Sequence, residues 1–122
     1  MNHELTVRTR TTPAGPVIEL AGALDHHSAP DVRTVLPRLA LSAGQQLVID
    51  LDRLTFCDST GITVLIAARN HALAAGASVV LTAVPDSVIR TFRLVGLERV
   101  FSIQPTSQAA AAAWNRSLPP SE

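Results

Sequence analysis

The sequence predicts an α/β domain: a mixed, largely parallel β-sheet of about five strands flanked by about four helices. Three observations carry this expectation. Short β-branched runs alternate with longer stretches whose apolar residues recur three and four apart. The two opening strands are separated only by a turn, so the alternation begins after a hairpin. The interior must be aliphatic, because 47% of the 122 residues are hydrophobic while Phe56, Phe92, Phe101 and Trp114 are the only large rings. One domain over residues 1–122 is expected, with its core from about residue 5 to about residue 107.

Leu5 to Arg10 alternates, with Leu5 and Val7 on one side, and reads as an edge strand. Thr12-Pro13-Ala14-Gly15-Pro16 is a turn. Val17 to Leu20 is the second strand, continued through Ala23 and Leu24, with Gly22 a bulge or a point of close approach. Ser28-Ala29-Pro30-Asp31 opens a helix in the pattern of a capping box, and Val32, Val35, Leu36 and Leu39 form its apolar face. Pro37 interrupts that face.

Gln46 to Leu51 is the central strand, covered on both sides, and Asp52 to Cys57 is the connection after it, with Leu54 and Phe56 folded inward. A helix then carries Ile62, Leu65, Ile66 and Leu73 along one side and stops at Gly76. Ser78 to Val84 is a further strand ended by Pro85. Asp86 or Ser87 caps a short helix bearing Val88, Ile89, Phe92 and Val95, which Gly96 ends and onto which Leu97 folds back. Val100 to Ile103 is the last strand, and the Ala-rich stretch Ser107 to Asn115 is a helix packed through Trp114. Leu118 to Glu122 is a frayed tail. The helices are expected to crowd one face of the sheet.

Composition excludes several classes. Ten arginines balance ten acidic residues, for a formal charge of +0. The arginines are scattered, without the basic stripe or stacking platform that nucleic acid requires, so no direct nucleic-acid partner is expected. The single Cys57 forms no disulfide framework within the chain. Met1-Asn2-His3-Glu4 lacks the build of a signal peptide, and no apolar run approaches a membrane span. The expected location is the cytoplasm.

Chemistry concentrates in Asp58-Ser59-Thr60-Gly61, which lies at the mouth of the long helix. Backbone N–H groups there lack intrahelical acceptors, and a phosphate is electrostatically welcome. One reading is that Asp58, Ser59 and Thr60 only turn the chain and cap the helix. The other makes Ser59 a phosphoryl acceptor: a phosphate would add about −1.5 to −2 charges beside Asp58 and disrupt a complementary partner surface. Gly61 would let a partner approach the backbone closely. A serine hydrolase is disfavoured, because the G-x-S-x-G elbow is missing and no spacing brings His26, His27 or His71 to Ser59. Asp25-His26-His27 lacks further ligands for a metal. Cys57 reads as a small buried side chain before the turn, a redox-sensitive thiol being the alternative. No phosphate-cradling glycine loop occurs, so neither a cofactor nor a nucleotide site is expected in this chain.

Three stretches, in order, resemble a STAS domain, and in particular the bacterial anti-sigma factor antagonists. They are Gly22-Ala23-Leu24-Asp25; Leu47-Val48-Ile49-Asp50-Leu51 with Phe56-Cys57-Asp58-Ser59-Thr60-Gly61-Ile62; and Phe92-Arg93-Leu94-Val95-Gly96-Leu97-Glu98-Arg99-Val100-Phe101. The resemblance spans about residues 5–107. It implies that the unphosphorylated protein binds an anti-sigma factor that is also a serine kinase, and so frees a sigma factor. The kinase phosphorylates the antagonist, which lets go, and a phosphatase resets it. Carried over, Ser59 is the acceptor, Asp58 its acidic neighbour, Thr60 and Gly61 part of the binding edge, and Asp25 part of a bordering loop. Cys57 stands where Met is frequent, Thr60 where Ser is frequent, and His26-His27 and Pro37 are less usual. The rival within the fold is a scaffold or transporter-associated STAS protein without the kinase cycle.

Overall fold

The computed structural model describes residues 4–117; Met1 to His3 and the tail Leu118 to Glu122 lie outside them. Five strands order as β1 (Leu5–Thr12), β2 (Gly15–Leu24), β3 (Gln46–Cys57), β4 (Ser78–Thr82) and β5 (Ser102–Gln104). β1 and β2 form an antiparallel hairpin, and β2 to β5 run parallel. Four helices connect or follow them: α1 (Ala29–Val35), α2 (Ser59–Ala74), α3 (Asp86–Leu94) and α4 (Ser107–Ser117).

The strands sort their side chains by the two-residue period. Ile18, Leu20, Leu47, Ile49, Leu51, Val79 and Leu81 enter the larger core, where Val32 of α1, Val64 and Leu65 of α2, and Val88 and Phe92 of α3 meet them. Val17, Val48 and Val80 face the other way and pack with Ala110 of α4. Three helices thus crowd one face and one helix covers part of the other.

The hairpin forms where the sequence places it. Gly22 has φ +108°, and any Cβ there would overlap the Glu4 carbonyl, so the chain requires glycine at this approach of β1 to β2. The β2–β3 register shifts on either side of it.

Several local expectations are corrected. The capping box at Ser28 does not form: the Ser28 hydroxyl donates to the Ala23 carbonyl at 2.7 Å, and Asp25 rather than Asp31 organises the turn. α1 ends at Val35, and Leu36–Arg38 tightens into a 3₁₀ turn, with Pro37 where the α-helix can no longer continue. β3 does not stop at Leu51. It runs on to Cys57, because β2 still pairs with it, Leu24 opposite Cys57. Leu54 is buried as expected, whereas Phe56 is 52% exposed. The inward face of α2 is Gly61, Val64, Leu65, Ala68 and Ala72, while Leu73 points out. Small residues let this helix lie close to the sheet. α3 is preceded by Pro85 and receives no side-chain cap from Asp86 or Ser87; both occupy its first turn, where Asp86 suits the helix dipole. Val95 is exposed, whereas Leu97 packs against the main core.

Candidate functional site

Asp25 and Asp58 leave the carboxyl ends of two neighbouring parallel strands, each one residue beyond the Leu24–Cys57 pair. Each carboxylate satisfies backbone donors that open a helix. Asp25 Oδ1 accepts from His27 N–H at 2.9 Å and from Ser28 N–H at 3.0 Å. Ser28 Oγ in turn accepts the Asp25 N–H at 3.0 Å. Asp25 is buried, and the Ser28 N–H, ahead of the opposing effect of burial, holds its carboxyl below the ordinary aspartate value.

Asp58 is the N-cap of α2, and its Oδ1 accepts from Gly61 N–H at 2.9 Å. Its own N–H donates to the Leu24 carbonyl at 3.2 Å, tying the start of α2 to the end of β2. Gly61 is buried against that end: a Cβ would stand 2.5 Å from Leu24 O and 2.8 Å from Cys57 Sγ. The missing side chain therefore serves packing within the chain. It does not open the backbone to a visitor.

Ser59 is the first residue of α2 and is exposed; Thr60 is half-buried. Among the described residues the Ser59 hydroxyl has no hydrogen-bond partner, while its carbonyl accepts from Thr63 Oγ1 at 2.9 Å. The cap is thus Asp58 alone, and the Ser59 hydroxyl is left over for other chemistry. His71 sits in the last turn of α2, about 18 Å along the helix from Ser59, too far to act as its base. His26 and His27 are exposed on the Asp25 loop with ring centroids 4.0 Å apart. Burial, helped by the Asp58 charge, pushes the Cys57 thiol up to about 12, so at neutral pH it is an unreactive thiol.

Residues 7–105 match the family described as Mlab, STAS domain. The chain belongs to the STAS domain family. It is 29% identical over 104 residues to the anti-sigma-B factor antagonist of Listeria monocytogenes, covering 85% of this chain and 90% of that one. The anti-sigma-B factor antagonist of Bacillus subtilis is 32% identical over 91 residues, 75% of this chain and 83% of its own. The STAS fold here also superposes on Bacillus SpoIIAA. In its unphosphorylated form that anti-sigma factor antagonist gives a TM-score of 0.67 at 19% identity, covering 94% of this chain and all (100%) of SpoIIAA. In its phosphorylated form the values are 0.63 and 20%, covering 90% and 99%.

The tetrad and the Asp25 loop, both marked by the sequence, adjoin through the Leu24–Asp58 bond. Sequence reasoning misses Phe56. The sequence folds it inward beside Leu54 in a connection, whereas β3 continues through it and it is 52% exposed.

Proposed function

We propose that this STAS domain is an anti-sigma factor antagonist that binds a cognate anti-sigma factor with serine kinase activity and is released when Ser59 is phosphorylated. The observation that carries the reading is the exposed, unbonded Ser59 hydroxyl on a helix already capped by Asp58. A hydroxyl used for capping would be unavailable to a kinase; this one is available without unfolding a turn. The two relatives named as anti-sigma-B factor antagonists support the partner class.

Asp58 fixes the position of Ser59, Asp25 shapes the bordering loop, Thr60 shares the edge, and Gly61 seats the helix start. A phosphate on Ser59 would place about −1.5 to −2 charges next to Asp58 and oppose a surface matched to the neutral serine. A phosphatase restores that surface. The test is the intact mass of the protein after incubation with ATP and each candidate anti-sigma kinase of the same genome, with Ser59→Ala as control. One phosphate gained by wild type alone supports the reading. Stable binding to another protein without any phosphate gain supports a STAS scaffold instead. Hydrolytic activity lost in Ser59→Ala, with no phosphoprotein formed, supports a serine hydrolase.

A further inference from the structure

We infer that Phe56 is the apolar anchor of the Ser59 surface, its ring entering a pocket on the anti-sigma factor that takes the adjacent serine; this rests on the function proposed above. β4 pairs with β3 only from Gln46 to Asp50. Beyond Asp50, β3 continues to Cys57 with β2 as its partner. Phe56 stands on this overhang, 52% exposed, although Leu54 two residues earlier is buried.

Of the exposed large apolar residues among those described, Leu73, Leu94, Val95 and Val100 lie elsewhere. Leu73 and Leu94 fall in the last turns of α2 and α3, Val95 follows α3, and Val100 precedes β5, so all four sit toward the amino ends of the parallel strands. Phe56 is the one at the Ser59 end. Three residues separate it from Ser59, so their Cα atoms are within about 11 Å, well inside a typical contact patch of about 800 Å² per partner. The link is stiff, because Asp58 between them bonds both Leu24 and Gly61. Aromatic rings brought into a partner's pocket are frequent centres of binding energy.

The occupant is therefore the kinase that addresses Ser59, and the ring supplies binding without touching the transferred phosphate. Loss of such contact raises KM while leaving kcat unchanged. The test compares wild type, Phe56→Ala and Phe56→Leu against the anti-sigma factor selected by binding to wild type. Readouts are Kd by calorimetry, KM and kcat for Ser59 phosphorylation, and far-UV circular dichroism. The expected result is Kd and KM raised about tenfold or more in Phe56→Ala, kcat unchanged, partial recovery in Phe56→Leu, and an unaltered fold. Wild-type Kd and KM in a folded Phe56→Ala overturn the anchor but not the function. If Phe56→Ala fails to fold, Phe56→Leu with wild-type Kd and KM, or with kcat lowered, overturns the anchor. Failure of wild type to bind any candidate overturns both.

Discussion

The Asp58 N–H donates to the carbonyl oxygen of Leu24 at 3.2 Å, so the end of one strand holds the cap of the helix that leaves its neighbour. The serine beside that cap is positioned by β2 as much as by β3. Mutations at the end of the second strand are therefore expected to reach Ser59 without touching it.

Gly61→Ala tests how closely those parts fit. The added methyl would press on Leu24 O at 2.5 Å and on Cys57 Sγ at 2.8 Å. Backbone cannot yield as a side chain can, so we expect a loss of about 1–3 kcal/mol in denaturant unfolding. An unchanged midpoint would show that the start of α2 is looser than its bonds indicate.

Asp58→Ala removes the cap to Gly61 N–H and should cost about 1 kcal/mol of stability. Asp58→Asn keeps an acceptor and should recover most of it. If the charge also matters to the partner, both variants weaken binding while only the alanine variant loses stability. Global unfolding of Asp58→Ala would assign the residue a structural role alone.

Ser59→Ala should retain partner binding and resist phosphorylation, and Ser59→Asp should bind about tenfold or more weakly. Equal binding by both variants and by wild type, before and after ATP, would remove the electrostatic switch. The measurement is a binding titration with the purified anti-sigma factor.

Acid sensitivity should trace to Asp25. Its carboxyl is held below the ordinary value mainly by the Ser28 N–H, so the folded state binds its proton less readily than the unfolded chain. Its contribution is present above the unfolded aspartate value of about 4 and fades as pH falls through the lower folded value. Asp25→Asn should flatten the stability profile below about pH 4. Parallel profiles for the two proteins would assign the acid response elsewhere.

Cys57 should be inert in the folded protein. With its thiol pushed up to about 12, alkylation by iodoacetamide at pH about 8 should proceed only on unfolding. Rapid labelling of the native protein, read by mass, would contradict the packing against Gly61.

The succession of strands and helices, the hairpin and the tetrad are legible in the sequence because each has a local cause. Gly15 and Gly22 take positive φ, and Asp58 caps α2. The sequence misleads where a distant segment decides. Asp52-Arg53 breaks the apolar run and so suggests an end to β3 at Leu51; pairing with β2 carries it to Cys57. Ser28 and Asp31 match a capping box, but Asp25 takes the Ser28 N–H along with that of His27, and the Asp31 N–H donates to the Ser28 carbonyl instead. On α2 the sequence names Ile62, Leu65, Ile66 and Leu73 as the inward side; Leu65 is buried and Ile62 and Ile66 pack against the core, but Leu73 is exposed, and Gly61, Ala68 and Ala72 join the buried face, because proximity there favours small side chains.

The last helix is fastened far back in the chain: Trp114 Nε1 donates to the Gly44 carbonyl at 3.0 Å and Gln46 Nε2 to the Ala110 carbonyl at 3.1 Å. Trp114 is the sole tryptophan, and the chain has no tyrosine. Emission excited at long ultraviolet wavelengths thus comes from a single clamp between the end of the chain and its middle. It should time the docking of α4 separately from sheet formation followed by circular dichroism, which makes the order of assembly directly observable without any introduced dye.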